Sequence, residues 1–515
     1  MFRLTLLSQF LALCGVISCL GHPNHQLDLT YMTPGKTWEN DGLPIGNGYF
    51  GALVLGGISE DRIRLTDPSL RDEGGRVLPL ADLVIATGHE PENARTFLRR
   101  LDLQTAAVEV SYRDGRLRHR REYFASYPDR VLVGRLRAVR KGSLNLSLSW
   151  KSPHEGAAVT YDASTHRFGI SGVGFEAQVE VRLVGGTLTN KGADGIRIEG
   201  VNEVALILTV SQGETFAAGE HLNVLKEKEA RVLFQNHISD YQDQFHAMYV
   251  TLEGGAKSNL ETAKRRLLYA EKPEEDPGFE ELLFQYGRYL YLSSARPGSV
   301  APPHGRGIWW FTPKEETPLD NRVLTGGLAA LIQPGYPNDP MNWENALPWL
   351  DEPGSALGHV SHLFMEATKG RSDEAYGQFR KLLQSYLTDN LLTTDQNIAA
   401  NMSLVRGVRK LFAEEKEGVL HLANNLPKHW SDGSVVGMRT HNFEIAYVWQ
   451  DGKFFEGYLT RQAAGRASLK TKARLLLDRP GDDEVIRLTP DSDGLVHFSM
   501  EGEKTMRLRL ANEEN

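Results

Sequence analysis

The sequence contains almost no cysteine. Only two of its 515 residues are cysteines, Cys14 and Cys19, and both lie near the N-terminus. The rest of the chain therefore has no thiol that could form a disulfide, whatever the redox state of its compartment. The fold must be held by its hydrophobic core and its hydrogen bonds.

An excess of positive charge is also missing. The chain has 58 lysine and arginine residues against 66 aspartate and glutamate residues, so its net charge is −8 at pH 7. A protein that binds nucleic acid or an anionic membrane surface by charge usually carries the opposite imbalance. The composition therefore argues against a nucleic-acid partner.

Long apolar runs are scarce. The clearest one, from Leu4 to Ile17, is too short to span a bilayer. Because Arg3 precedes it, it predicts a secretory signal peptide over 1–21, and hence a secreted, periplasmic or cell-surface protein. Two outcomes stay open: ordinary cleavage, or a lipoprotein anchored at Cys19, since Val16-Ile-Ser-Cys19 fits a bacterial lipobox. No transmembrane segment is predicted.

Glycine is concentrated in one stretch, LPIGNGYFGALVLGG, over 43–57. It contains Gly46-Asn-Gly48-Tyr-Phe-Gly51, which matches the G-x-G-x-x-G pattern of dinucleotide-binding loops. That site needs an apolar strand before the glycines and a helix after them. Here a polar segment precedes them, and Ala52 to Leu55 forms a short strand closed by two more glycines. We predict a glycine turn between β-strands, and no cofactor.

The hydrophobic period changes along the chain and predicts a multidomain β plus α protein. Short alternating segments over 25–245 predict a large β-sandwich domain. A period of 3.6 over 255–417 predicts a helical domain. Alternation returns over 425–515, which predicts a small C-terminal β-domain.

Several motifs in this order resemble glycoside hydrolase family 95, the inverting α-L-fucosidase family. They are the 43–57 stretch, Phe284-Gln-Tyr-Gly-Arg-Tyr-Leu290, Gly307-Ile-Trp309 and Leu426-Pro-Lys-His-Trp430. The resemblance implies an N-terminal β-super-sandwich, a catalytic (α/α)6 toroid and hydrolysis of terminal α-L-fucosyl residues of a glycan. At about 11–14 residues per helix, plus loops, a full toroid needs more residues than the helical middle offers. We therefore expect an incomplete toroid.

The resemblance also implies catalytic residues. The segment Thr394-Asp-Gln-Asn-Ile-Ala399 is similar to the family's base-side segment, so Asp395 would act on the attacking water and Asn397 would bind substrate. Aligning Met341-Asn342-Trp343 with a second family segment gives Asn338 as the amide that orients the water. Tyr336 stands where the family has another asparagine. Purely structural roles remain as alternatives: Asp395 could cap the N-terminus of a helix, and Asn338 could stabilise a turn.

Further residues are implied to bind the sugar. His359, in Gly358-His-Val-Ser-His-Leu363, would contact it, unless this histidine simply belongs to the core. Asn342 is a second candidate, and Trp309 and Trp343 either stack on the sugar or fill core. His359 and His362 have the spacing of a metal pair, but no third ligand is apparent, and no metal is predicted.

The general acid has no clear position. The family's glutamate lies in a helical stretch that is largely missing between Glu352-Pro353 and the His359 motif. Glu344, two residues from Asn342, is our candidate replacement. Three hypotheses follow: a secreted α-L-fucosidase-type glycosidase, a carbohydrate-binding relative without turnover, or a truncated product that folds poorly. An α-L-galactoside is a further candidate substrate, because a family fold does not define the sugar.

Overall fold

The computed structural model describes residues 27–71, 77–192, 195–211, 216–254, 257–297, 308–309, 355–394, 398–423, 426–478, 485–502 and 504–511. The element order is strands, then helices, then strands. The predicted order of a β-sandwich, a helical middle and a β-rich end is therefore confirmed. No helix within the described ranges has both the length and the apolar character needed to cross a membrane.

The N-terminal strands form two antiparallel sheets. These strands are β1 Asp28–Tyr31, β2 Leu43–Gly46, β3 Gly51–Val54, β4 Glu60–Arg71, β5 Val77–Ala86, β6 Ala94–Asp102, β7 Ala107–Asp114, β8 Leu117–Ser126, β9 Val131–Ala138, β10 Leu144–Lys151, β11 Ala158–Asp162, β12 Arg167–Gly172, β13 Phe175–Val184, β14 Thr187–Asn190, β15 Ile196–Val201 and β16 Glu203–Val210. One sheet has the order β1-β6-β7-β8-β9-β16-β13-β12-β11 and the other β14-β15-β10-β5-β4-β3-β2.

The alternation predicted from the sequence produces the sandwich core. In β10, for example, Leu144, Leu146, Leu148 and Trp150 are buried while the residues between them are more exposed. Successive side chains of a strand point to opposite faces, so one face of each sheet is apolar. Buried residues of both sheets belong to one continuous core cluster.

The helices within the described residues are α1 Trp38–Asp41, α2 Ala218–Leu225, α3 Ala230–Phe245, α4 Thr262–Glu271, α5 Pro277–Ser294, α6 Ala356–Thr368, α7 Ser372–Ser385 and α8 Ile398–Phe412. Short 3-10 helices cover Pro91–Asn93 and Pro273–Glu275. Helices α2 and α3 lie inside the range predicted as sandwich, so helical structure begins earlier than the sequence indicates. They pack on the outer face of the sandwich, where Leu222 and Leu233 share a cluster with Phe124 and Ile207.

The C-terminal strands are β17 Tyr249–Leu252, β18 Ala413–Lys416, β19 Val419–Leu422, β20 Gly433–Arg439, β21 Phe443–Gln450, β22 Lys453–Arg461, β23 Gly465–Lys470, β24 Leu475–Asp478, β25 Val485–Leu488, β26 Leu495–Met500 and β27 Thr505–Leu510. They form sheets of order β17-β20-β21-β22-β27-β24-β25 and β18-β19-β23-β26. Strand β17 precedes the helical middle and pairs with β20, which follows it, whereas the chain leaves α8 directly into β18 of the four-stranded sheet.

The β2–β3 hairpin shows why its stretch is rich in glycine. The strands pair with Gly46 opposite Gly51, and Gly48 has φ +81° in the turn. A Cβ atom on Gly51 would lie 2.8 Å from the backbone oxygen of Ile308, and one on Gly46 would lie 2.6 Å from its Cδ1. The predicted β-turn is confirmed, and the glycines let another segment pack on bare backbone.

This packing can be tested with Gly51→Ala. The added methyl group would overlap the Ile308 carbonyl, so we expect the free energy of unfolding to fall by about 1–3 kcal/mol. Chemical denaturation followed by fluorescence measures the change. Gly377→Ala in α7 is a matched control, because a Cβ atom there meets nothing within 4 Å and alanine is the better helix former. Equal stability of Gly51→Ala and the wild type would contradict the close contact.

Candidate active site

His359 lies in the first turn of α6, and two neighbours hold its ring. Its Nδ1 atom is 2.8 Å from Oε1 of Gln378 on α7, and its ring centroid is 4.9 Å from that of Tyr386. Ser355 caps the helix by accepting a hydrogen bond from the Gly358 amide at 2.9 Å. Because an amide oxygen only accepts, Nδ1 carries the proton. The Nε2 atom of this half-buried ring can then accept a hydrogen bond from a hydroxyl group.

The connection between α7 and α8 starts at Tyr386 and folds back to it. The amide of Thr394 donates to the Tyr386 carbonyl at 2.8 Å, and the Thr388 amide donates to the Leu392 carbonyl at the same distance. Leu391 has φ +61°, an uncommon conformation for a non-glycine residue that tight turns impose. The chain just before residue 395 is thus held beside the residue that covers His359. The structure brings together the ends of two segments that the sequence singled out separately.

Asn390 ties this connection to the N-terminal sandwich. Its Nδ2 atom donates to the carbonyl oxygens of Gly42 at 2.9 Å and Glu39 at 3.3 Å. Its own amide donates to the Asn40 carbonyl at 2.9 Å. The side chain is fully buried. Buried amides of this kind must find partners, so the loop and α1 specify each other's position.

Asn401 on α8 holds the same connection from the other side. Its Nδ2 atom donates to the Leu391 carbonyl at 2.9 Å, and its Oδ1 atom accepts from the Thr393 amide at 3.1 Å. Both Asn401 and Thr393 are fully buried. The loop that ends at Thr394 is therefore fixed by two buried asparagines, one of its own and one from α8.

Trp309 lies in the core. Its ring is 1% exposed, and its Nε1 atom donates to the Ile45 carbonyl at 2.8 Å. Its Cδ1 atom would be 2.9 Å from a Cβ atom on Gly51. A ring packed on the β2–β3 hairpin in this way has no open face for a sugar. The sugar-stacking role considered for Trp309 is therefore wrong in this structure, and the alternative, that it fills core, is correct.

The remaining predicted site residues lie outside the described residues. They are Asn338, Asn342, Trp343, Glu344, Asp395 and Asn397. Their proposed roles stay predictions. His359 and His362, the pair considered for a metal, both lie on α6. The Nδ1 atom of His359 is hydrogen-bonded to Gln378.

Glu280 on α5 is a buried carboxylate that the sequence analysis did not single out. It is 1% exposed. Its Oε1 atom accepts from the hydroxyl groups of Tyr269 at 2.6 Å and Tyr376 at 2.7 Å, and its Oε2 atom accepts from Nε1 of Trp430 at 2.6 Å. Burial raises the pKa of the Glu280 carboxyl, although the three donors oppose that effect. Through these three contacts, Glu280 connects α4, α7 and the C-terminal domain to α5.

Two weak sequence signals could have pointed to these residues. Asn401 is the fourth residue of α8 and has apolar neighbours on both sides in the sequence, where a buried asparagine needs specific partners for its side chain. Glu280 lies in a helix whose other residues are mostly apolar. Asn390 carries no comparable signal, because asparagine is common in turns.

The Glu280 contacts predict a difference between two substitutions. In Glu280→Gln, one acceptor oxygen becomes an amide donor that faces other donors. We therefore expect the free energy of unfolding to fall by about 2–3 kcal/mol. Tyr376→Phe removes a single donor and should cost about 1 kcal/mol. Urea denaturation measures both. Glu271→Gln, at the exposed end of α4, is the matched control and should resemble the wild type. A Glu280→Gln protein as stable as this control would contradict the assignment.

Three family models match successive parts of the chain. The glycosyl hydrolase family 65 N-terminal domain matches residues 29–70 and 66–215. The glycosyl hydrolase family 95 catalytic domain matches 229–316, and the family 95 C-terminal domain matches 415–508. These ranges follow the sandwich, the helical middle and the C-terminal sheets. The catalytic-domain match ends ahead of α6.

Known relatives carry fucosidase names. Alpha-L-fucosidase 2 of Arabidopsis thaliana is 27% identical over 371 residues, which cover 55% of this chain and 44% of the relative. A protein of Aspergillus niger described as probable alpha-fucosidase A is 30% identical over 259 residues, which cover 45% of this chain and 32% of the relative. The chain thus spans less than half the length of these relatives. A solved structure described as a kojibiose phosphorylase from the human microbiome aligns with 92% of this chain and 98% of its own, at 9% identity and a TM-score of 0.49.

Proposed function

The chain belongs to glycoside hydrolase family 95, and we propose that it is a glycosidase of the α-L-fucosidase type. It hydrolyses terminal α-L-fucosyl residues of glycans with inversion at the anomeric carbon. One observation carries the proposal: the helix that bears His359 and the segment that ends at Thr394 converge on Tyr386. The fucosidase names of the relatives support the substrate class.

The water side of the reaction depends on Asp395. An inverting glycosidase needs a base that takes a proton from the attacking water, on the face opposite the leaving group. Asp395 follows Thr394, whose amide is bonded to Tyr386. Asn390 and Asn401 hold the loop that ends at Thr394, and a catalytic base needs a preceding segment of defined position. Asn338 orients the water.

The sugar side depends on His359. The bond from Nδ1 to Gln378 fixes the ring and leaves Nε2 to accept from a sugar hydroxyl. Asn342 and Asn397 supply further hydrogen bonds, and Trp343 stacks on a sugar face. The leaving-group side depends on Glu344, which replaces the family's general acid.

Substitution of Asp395 tests the mechanism. We expect Asp395→Asn to lower kcat/KM on an aryl α-L-fucoside by about 10²–10⁴-fold, because the amide cannot accept the proton from water. Asp162→Asn, the same chemical change at an exposed turn of the sandwich, is the matched control and should leave the rate unchanged. Hydrolysis that survives Asp395→Asn would show that the base lies elsewhere.

Substrates with different leaving groups distinguish the role of the general acid from that of the base. Glu344→Gln should slow natural fucosylated oligosaccharides, which require protonation of the departing oxygen, far more than a nitrophenyl fucoside or a fucosyl fluoride. An effect of Glu344→Gln on both substrate types alike would argue against its role as the acid. An α-L-galactoside measured in parallel decides between the two sugars.

The runner-up is a carbohydrate-binding relative without turnover. It is favoured by the sequence observation that Tyr336 stands at an asparagine position and that the family's acid segment is shortened. Calorimetric binding of fucosylated glycans, together with no hydrolysis of any leaving group, would establish this alternative. Hydrolysis that depends on Asp395 would exclude it.

We also propose that the protein is exported, because Arg3 and the apolar run from Leu4 to Ile17 have the pattern of a signal peptide. The mass of the mature protein from a bacterial host is expected to correspond to a chain that starts at His22 or at a lipid-modified Cys19. Cys19→Ala separates these outcomes, since it abolishes lipid attachment only. A mature protein that keeps Met1 would contradict export.

A further inference from the structure

Three potential metal ligands meet in the N-terminal sandwich. His89 lies in the loop after β5, Asp114 ends β7, and His119 lies on β8. One ligand atom from each lies within 4.8 Å of the other two. No sequence pattern links these residues, because they come from three separate elements.

The strand geometry explains why they meet. Tyr112 and Asp114 are two residues apart on β7, so their side chains lie on the same face. Tyr112 pairs directly with His119 in the β7–β8 register, and cross-strand partners also share a face. The hairpin turns at Gly115, whose φ is +56°. His89 reaches this face from the loop, with its ring centroid 4.4 Å from that of His119.

His119 has a buried ring whose polar atoms are unused. It is 3% exposed, and neither Nδ1 nor Nε2 has a hydrogen-bond partner among the described residues. Buried polar atoms normally have a partner, so this ring indicates a missing one. A neutral imidazole offers a metal the lone pair of one ring nitrogen, and neither nitrogen of this ring is engaged by a described residue.

The second imidazole is oriented by a chain of buried groups. Asp61 accepts from the guanidinium of Arg121 at 2.8 Å, and Arg121 donates to the Tyr112 hydroxyl at 3.1 Å. The same hydroxyl oxygen lies 2.8 Å from Nδ1 of His89. When Nδ1–H donates to it, Nε2 carries the lone pair and faces Asp114 at 3.9 Å. Metal-binding histidines usually have their second nitrogen held in this way.

We propose that His89, Asp114 and His119 bind a divalent transition-metal ion, with Zn²⁺ favoured over Ca²⁺ and Mg²⁺. Two imidazoles and one carboxylate suit zinc, whereas calcium and magnesium take oxygen ligands. In a tetrahedral zinc site the ligand atoms are about 3.3 Å apart, so each side chain needs to move by less than about 1 Å. Water completes the coordination, since His89 is 17% and Asp114 33% exposed.

The ion would add a link between two parts of the sandwich. One side of this link is the loop that follows β5, and β5 belongs to one sheet. The other side is the β7–β8 hairpin, which belongs to the other sheet. The Arg121 charge nearby is paired with Asp61 and so opposes the cation less than a free guanidinium would. The proposal does not depend on the proposed glycosidase activity.

Titration calorimetry of the full chain tests it, after EDTA treatment and removal of the chelator. We expect a single Zn²⁺ per chain with a Kd below about 1 µM and no comparable binding of Ca²⁺ or Mg²⁺. Asp114→Asn and His119→Gln should each weaken zinc binding at least about tenfold. His154→Gln is the matched control, because this half-buried histidine belongs to the same sandwich and its Nε2 atom contacts the Pro79 carbonyl.

A second readout keeps the test valid if His119→Gln folds poorly. Zn²⁺ should raise the unfolding temperature of the wild type and of His154→Gln but not of Asp114→Asn, whose changed side chain lies at the exposed rim. Zinc affinity that is equal in all variants would place the ion elsewhere and overturn the proposal. Absence of Zn²⁺ binding tighter than about 10 µM would overturn it as well.

Discussion

The burial of α5 is the constraint on which the arrangement of the domains depends. Every residue from Gly278 to Ser294 is buried, so this helix has no solvent-facing side on which a polar group could be tolerated. Each polar side chain must therefore find a partner in a neighbouring element. Arg288 donates to the carbonyl oxygens of Phe245 and Met248. These bonds hold the end of α3 and the start of the C-terminal sheet against the helix.

This constraint explains both what the sequence predicts and where prediction fails. The alternating and helical periods predict element types because each element has one apolar face, as β10 illustrates. For α5 the period predicts one buried stripe, whereas the structure buries the whole helix. The helical period locates apolar side chains only. The burial of Glu280 depends on hydrogen bonds that Tyr269, Tyr376 and Trp430 donate to its carboxyl group. That information lies in three distant parts of the chain.

Long-range pairing is the second limit. Strand β17 is short and pairs with β20 across the whole helical middle, and no local pattern contains that partner. The same holds for the candidate site. A motif marks His359 as a candidate in the sequence, whereas Asn390 donates to backbone carbonyls of Glu39, Asn40 and Gly42, which are remote from it in sequence. Groups that position a site by contacting backbone leave little trace in a single sequence.

The glycine-rich stretch unites these observations, because its two ends support different parts of the molecule. At one end, bare backbone at Gly46 and Gly51 admits the Ile308 and Trp309 segment beside α5. At the other end, the amides of Gly56 and Gly57 donate to one oxygen of the buried Asp61 at 2.7 and 3.2 Å.

The second oxygen of Asp61 accepts from Arg121 and from the Tyr123 hydroxyl, both at 2.8 Å. Burying the Asp61 charge requires a cation, and Arg121 then has a donor left over for Tyr112, which in turn orients His89. A polar chain thus runs from a glycine turn to the histidine cluster through otherwise apolar surroundings. The glycine-rich stretch matches a nucleotide-binding sequence pattern, but its role here is structural. One end allows close backbone packing, and the other end donates backbone amide hydrogen bonds to Asp61.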